Sequence, residues 1–381
     1  MAATRKRDER AAGGRPRSER HRSEGSASEA SRSERSAGSR VTISDIAREA
    51  GVSVPTVSKV LNGHAHVAAG TRSKVERLLV KHQYARRTKR REGRARLVDL
   101  VFNNLDSEWS VEIIRGVEGV AHESGLGTVV SAVHGASSEE RQWLDNLTAR
   151  WSDGIILAVT ELRPTHAEQI RALGIPMVII DPLGQPDPHV ASVGATNWNG
   201  ALTATEYLIS LGHERIGLIG GRPEVQCSRA RLDGYRSALQ SAGLPVDDSL
   251  IAEGDFYAPR GEQAAHELLT LSDPPTAIFA GNDQQALGVY RTAERLGLRV
   301  PDDLSVVGFD DLPAAALASP PLTTIRQPVA QMAAQAMRML LRYLETGSFE
   351  TRRLELSTDL VVRDSAAAPP SRDRTARSTR S

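Results

Sequence analysis

Three polar residues stand where a binding or catalytic site could be built: Asp181 closes the apolar run "PMVIID", Asn282 closes "TAIFAGN" and Asp310 closes "LSVVGFDD". Carboxylates, an amide and a guanidinium suit a hydroxyl-rich ligand, because every sugar hydroxyl both donates and accepts a hydrogen bond. Aromatic rings would add flat apolar platforms for the C–H faces of a pyranose. The adjacent pair Asp310 and Asp311 raises the alternative of glycoside hydrolysis. Neighbours on a strand end point in different directions, however, which makes them a poor acid/base couple. Neither a glycine-rich phosphate loop nor a metal-spaced His/Cys cluster is present in the sequence, so no cofactor, no metal and no enzyme activity are expected. Each polar residue also has a structural alternative: Arg231 pairing with Asp233, Asp310 capping the next helix, Trp109 as core. Trp198 finds no place in this scheme except as support for a dimer surface.

A second chemistry lies in "TISDIAREAGVSVPTVSKVLNG", residues 42–63. Pro55, Lys59 and Asn62 are spaced i, i+4, i+7 and share one side of a helix, with Val54 near its start and Thr56 and Ser58 flanking. Such a face fits a DNA major groove: hydroxyls and N-terminal amides hold phosphates, and side chains near the N-terminus reach base edges. A lysine there donates to guanine O6 and N7, and Val or Pro touches a thymine methyl. The alternative is a three-helix packing module whose polar face is merely solvated.

The elements that must position these residues follow from pattern. Thr42 and Asp45 form a capping box ahead of a stripe at Ile43, Ile46, Ala47 and Ala50. Gly51 ends that helix, Ser53 caps a second, and Pro55 is tolerated in its first turn. Val57, Val60 and Leu61 face inward, and a third helix from Thr71 turns Val75, Leu78, Leu79 and His82 inward. Farther on, "LVDLVF", "GTVVSAV", "DGIILAV", "PMVIID", "RIGLIGG", "TAIFAGN" and "LSVVGFDD" read as buried strands between amphipathic helices. That alternation predicts an α/β fold with parallel sheets covered on both faces, in two doubly wound lobes. Glycines at 125, 212, 243 and 297 suit left-handed helix C-caps.

Composition sets the frame. Residues 1–96 hold 24 Lys+Arg against 10 Asp+Glu, while the remainder holds 24 against 37, so the first part alone is equipped to meet a polyanion. The expected organisation is a disordered basic tail over 1–40, a helical headpiece over 41–84, a basic linker over 85–96, a two-lobed body over 97–363 and a disordered tail over 364–381. One cysteine, no apolar run of spanning length and a charged N-terminus predict a cytoplasmic protein with no membrane partner.

"VTISDIAREAGVSVPTVSKVLNG" and "HVAAGTRSKVERLLVKHQY", followed by "GHERIGLIGG", "RARLDGYRSAL", "AIFAGNDQQALG" and "LSVVGFDDLPAAALASPPLTTIRQP", closely resemble the LacI/GalR family of bacterial repressors, in order, over residues 41 to about 363. The resemblance implies a helix-turn-helix headpiece on a periplasmic-binding-protein-like body. It implies a homodimer that holds double-stranded palindromic operator DNA in the nucleoid and releases it when a sugar or oligosaccharide binds between the lobes. Carried over, Val54, Pro55 and Lys59 read bases, while Thr42, Ser53, Thr56, Ser58, Asn62, His66 and Thr71 sit on phosphates. Arg231, Asn282, Asp310 and Gln327 match effector-contacting positions. Phe256 matches a stacking aromatic, Trp109 the first-lobe stretch lining the cleft, and Asp181 joins them as a strand-end acid. Two departures stand out. The family usually carries arginine in place of Lys59, which implies a less rigid guanine contact. The linker has no leucine before Leu97 to act as a minor-groove wedge, so Arg86, Arg87, Arg90 and Arg91 either follow a narrow minor groove or attract phosphates non-specifically. Control by a corepressor, small molecule or protein, and a free-standing sugar-binding protein are the alternatives.

Overall fold

Thr42 begins the first described element for a local reason: its hydroxyl accepts from the Asp45 amide while the Asp45 carboxylate accepts from the Thr42 amide at 2.9 Å. This is the expected capping box, and it starts α1 (Ile43–Ala50). The computed structural model describes residues 42–61, 67–82, 95–133, 137–158, 164–182 and 190–370. The chain divides into two compact units after residue 88. In the first, Gly51 closes α1 at φ +66°, a left-handed conformation that favours glycine. Then come α2 (Val54–Leu61) and α3 (Ala69–Lys81), the latter beginning two residues before the expected Thr71. Ile46, Ala47, Ala50, Val57, Val60 and Val75 form its small core. His82 lies past the end of α3, where Nε2 meets the Glu49 carboxylate at 2.6 Å.

The second unit carries two sheets. Its chain runs β1 (Leu97–Phe102), α4 (Glu108–Glu123), β2 (Gly127–Ala132), α5 (Ser137–Arg150), β3 (Gly154–Ala158), α6 (Pro164–Leu173), β4 (Met177–Ile180) and β5 (Ala191–Ala195). It crosses into a second lobe for α7 (Asn197–Ser210), β6 (Ile216–Ile219), α8 (Gln226–Ser241), β7 (Ile251–Ala252), α9 (Ala258–Leu269), β8 (Ala277–Ala280), α10 (Asp283–Arg295), β9 (Ser305–Asp310), α11 (Pro313–Leu317) and β10 (Thr323–Arg326). It returns for α12 (Val329–Thr346) and β11 (Arg353–Leu356), then crosses once more for β12 (Asp359–Val361). The sheet orders are β11-β5-β4-β3-β1-β2 and β12-β10-β9-β8-β6-β7. Among the described pairings all are parallel except β10 with β12. Three crossings therefore join the lobes, and the strand-end residues of both sheets face one another across them.

Six of the seven expected strands are largely buried, as apolar runs inside parallel sheets must be. "GTVVSAV" is the exception: β2 is an edge strand, half exposed along its length, with Val130 38% exposed. The predicted C-cap glycines 125, 212, 243 and 297 all have positive φ. α12 seals the first lobe with Met332, Ala333, Ala336, Met337 and Leu340. It passes so near α4 that a Cβ on Gly116 would run into the Ala330 carbonyl.

Residues 364–370, expected within a disordered tail, are packed on the second lobe. Ser365 is fully buried. Its hydroxyl donates to the Val306 carbonyl at 2.6 Å and accepts from the Thr323 amide at 2.8 Å. The buried ring of His213 meets the Ala367 carbonyl at 2.9 Å. Local composition, rich in Ala and Pro, does not reveal backbone partners supplied by distant strands.

Candidate functional site

The outer face of α2 is built by burying the opposite one. Val57 and Val60 enter the core, while Ser53, Val54, Pro55 and Lys59 are exposed, Pro55 and Lys59 one turn apart on the same side. Thr56, Ser58 and Thr71 are partly exposed. Ser53 Oγ and Thr56 Oγ1 lie 2.9 Å apart, so this end of α2 presents paired hydroxyls. Thr42 is exposed, although its hydroxyl is occupied in the capping box. A cation on a rod with a small apolar tip and flanking hydroxyls has the composition for a major groove. Asn62, His66, Arg86, Arg87, Arg90 and Arg91 lie outside the described residues.

In the second unit a cavity of about 710 Å³ opens between the lobes. Trp109, Asp181, Arg231, Phe256, Asn282, Asp310 and Gln327, each anticipated from sequence, all line it. They reach it from the carboxyl ends of strands and the helices that follow, the position at which doubly wound sheets bind ligands.

Arg231 organises the floor. It is 4% exposed. Nε donates to Asn197 Oδ1 at 2.9 Å, Nη1 to the Gly281 carbonyl and Nη2 to Gln327 Oε1 at 3.2 Å. Nη2 also lies 3.8 Å from Asp310 Oδ1, and the guanidinium sits 3.6 Å over the Phe309 ring. Arg231 thus pairs with Asp310 rather than Asp233. Gln327, on the segment joining β10 to α12, extends the chain by donating Nε2 to Asp181 Oδ2 at 3.5 Å. Asp310, Arg231, Gln327 and Asp181 form one network from the second lobe to the first.

The charges in that network are unbalanced. Burial pushes the Asp310 carboxyl up to about 7, opposed by Arg231 and assisted by the negative Asp181. Burial likewise raises Asp181 to about 6, against the pull of Arg231 and the Gln327 hydrogen bond. Two carboxyls therefore share one guanidinium, and near neutrality Asp310 is poised between donor and acceptor forms. A ligand hydroxyl needs both. Cys227, also on the lining, has its thiol pushed up to about 11 by burial, which keeps it protonated near neutrality.

Asp311 turns away and pairs with Arg326 at 2.7 Å and with Arg363, so Asp310 and Asp311 do not form an acid/base couple. Asp310 does not cap a helix either. It is Asp283, buried and raised by that burial and by Asp310, that accepts from the Leu312 amide at 2.8 Å. Asn282 is the N-cap of α10, accepting from the Gln285 amide at 2.9 Å, and its Nδ2 donates to the Phe256 carbonyl at 3.0 Å. Its amide thus holds the loop that carries the aromatic. Trp109 is both core and lining, packed on the first-lobe cluster. Trp198 is 40% exposed in the first turn of α7.

Backbone strain gathers at the same place. Asp181, Phe256 and Asp310 have φ of +46°, +72° and +114°, each costing about 1–3 kcal/mol for a residue with a side chain. Asn103, Asn104, Asp106, Ser107, Asp255 and Tyr257, with Ser110, Arg222 and Gln284, are further polar residues of the lining that were not anticipated. The first four follow the carboxyl end of β1, so the rule that selected Asp181 would have found them. Among the described residues no metal-holding group of His, Cys, Asp and Glu exists, and no helix is long and apolar enough to cross a membrane.

Comparison with known proteins joins these two parts. The bacterial regulatory proteins of the lacI family match residues 42–87, and a periplasmic binding protein-like domain matches residues 205–366. The HTH-type transcriptional repressor PurR of Photobacterium profundum is 33% identical over 328 residues, 85% of this chain and 98% of that protein. The structure of the transcriptional regulator CelR in complex with cellobiose superposes with a TM-score of 0.68 at 33% identity, covering 86% of this chain and all of that one. The lac repressor dimer bound to operator and the anti-inducer ONPF gives 0.65 at 29% identity, over 87% of this chain and all of that one.

Proposed function

The chain belongs to the lacI family of bacterial regulatory proteins, and from that premise we propose that it is a homodimeric repressor of carbohydrate-utilisation genes. It is a DNA-binding transcriptional regulator and not an enzyme. Two headpieces occupy half-sites of a palindromic operator in cytoplasmic DNA, about 34 Å apart. Within each, Lys59, Val54 and Pro55 read base edges. Thr42, Ser53, Thr56, Ser58 and Thr71 hold phosphates, together with Asn62, His66 and the linker arginines.

The effector is a neutral sugar or oligosaccharide bound in the interlobe cavity. Asp310, Arg231, Gln327 and Asp181 exchange hydrogen bonds with its hydroxyls, and Phe256 and Trp109 offer their faces to its C–H surfaces. Binding releases DNA only if the ligand prefers the lobe arrangement with lower operator affinity; coupling of about 1–3 kcal/mol is typical. The observation that carries this reading is the network of two carboxyls, an amide and a guanidinium strung across the hinge of one large cavity. The cellobiose held by CelR supports the same ligand class. Thermal-shift screening of the purified chain against mono- and oligosaccharides, followed by operator release with each hit, tests it. If no saccharide both raises the melting temperature and releases operator, the carbohydrate reading is wrong.

A further inference from the structure

The loop between β7 and α9 faces two ways. Its Phe256 lines the cavity, with the Arg231 guanidinium 5.8 Å from the ring centroid. Its Tyr257 reaches across to the first lobe, where the phenol oxygen accepts from Asn104 Nδ2 at 2.6 Å. The loop itself is tightly held. Asp255 Oδ1 accepts from the Tyr257 amide at 2.9 Å, Asn282 Nδ2 pins the Phe256 carbonyl at 3.0 Å, and Phe256 takes a left-handed φ of +72°. Burial keeps the Tyr257 phenol protonated, and the neighbouring acids Asp106 and Asp255 reinforce this. Another bond crosses between the lobes: the Glu108 carboxylate at the start of α4 accepts from the Ala314 amide of α11 at 3.2 Å.

We propose that Asn104 and Tyr257 form a latch between the lobes, and that the rigid 255–257 loop ties this latch to whatever stacks on Phe256. Two consecutive residues of one constrained loop then do different work: Phe256 meets the ligand and Tyr257 sets the relative position of the lobes. A ligand that displaces Phe256 must move Tyr257 with it, because Asp255 and Asn282 leave the short loop little freedom to absorb the shift. Tyr257 and Asn104 are thus positioning residues. The second half of the proposal rests on the reading of the cavity as the effector site; the latch itself uses protein atoms alone.

Amide hydrogen exchange on the full chain without any ligand tests the latch, using Tyr257→Phe, Asn104→Ala and the double variant. Tyr257→Phe keeps the ring and removes only the hydroxyl, so it preserves the fold. Each single variant should speed exchange in both loops, 103–107 and 254–258, by about two- to twelvefold, the contribution of one hydrogen bond. The double variant should add little beyond either single one. The decisive effect is across the cleft: Asn104→Ala must loosen 254–258 in the opposite lobe. If each substitution changes exchange only in its own loop, or if the double variant shows the full product of the single effects, the latch does not exist. Because no ligand enters this experiment, its failure leaves the effector reading standing. Failure of the saccharide screen leaves the latch standing in turn.

Discussion

Replacing Arg231 by methionine removes the one cation from a buried network while keeping much of the side chain's length. Three acceptors lose their donor: Asn197 Oδ1, the Gly281 carbonyl and Gln327 Oε1. Asp310, 6% exposed, loses its partner. Leaving three buried acceptors without their donor costs about 3–5 kcal/mol in all, whereas Asp310, its carboxyl already raised to about 7, escapes a stranded charge by taking up a proton. At roughly 2–4 °C per kcal/mol for a body of this size, the melting temperature should fall by roughly 6–20 °C. Asp310 is then protonated at pH 7, so adding the neutral Asp310→Asn should leave the melting temperature close to that of the single variant. Neither variant should respond to effector, because both lack the group that joins Asp310 to Gln327. Thermal denaturation of the three proteins at pH 7, with operator release followed by fluorescence anisotropy, reads both quantities. A single variant that melts within about 2 °C of the parent contradicts the buried-network argument. One that releases operator at the parent's effector concentration contradicts the site assignment.

Other outcomes follow from the same structure. Lys59→Ala should weaken operator binding and relax selectivity at one base position by about 1–3 kcal/mol; a binding titration over single-base operator variants that finds selectivity unchanged removes Lys59 from the reading set. Asp310 and Asp181 have folded-state values of about 7 and 6, above the ordinary 3.8. Their stabilising contribution is therefore complete below about pH 4 and is lost as pH rises through 6 and 7. Denaturant titrations across this range should show that fall, and Asp310→Asn should flatten it; an unchanged slope refutes the assignment. At the α7–α8 crossing, a Cβ on Gly234 would run into the Trp198 carbonyl and lie 3.0 Å from the Ala201 Cβ. Gly234→Ala should therefore destabilise the second lobe by about 1–3 kcal/mol, and a denaturation midpoint equal to the parent's would show that the helices separate without strain.

The strands of the two lobes were legible because a parallel sheet buried on both faces writes itself as an apolar run, as in "LVDLVF" and "LSVVGFDD". β5, "ASVGA", was not, because its residues are small. β11, "RLEL", and β12, "DLV", mix charge into three or four residues. The three crossings between lobes leave no local mark, so nothing in "VAQMAAQAMRMLLRYLET" announces that α12 belongs to the first lobe. The site followed a similar rule. Asp181 and Asp310 were visible as acids ending strands, and Arg231 emerged from likeness to a family. Asn282 was visible too, but not its work as an N-cap that also holds the Phe256 loop. Tyr257 was invisible, since its partner Asn104 lies 153 residues away in the chain. The packing of Ser365 was hidden for the same reason, in a segment that composition alone marks as a tail.

The most direct measurement is the affinity of the full chain for an inverted-repeat duplex selected from a random pool, set against random duplex at the same salt. Preference should reach about a thousandfold or more, and should fall when a saccharide that stabilises the protein is added. Equal binding to selected and random duplex would contradict the claim that this chain reads DNA through α2. Unchanged preference at saturating saccharide would contradict the claim that the cavity controls it.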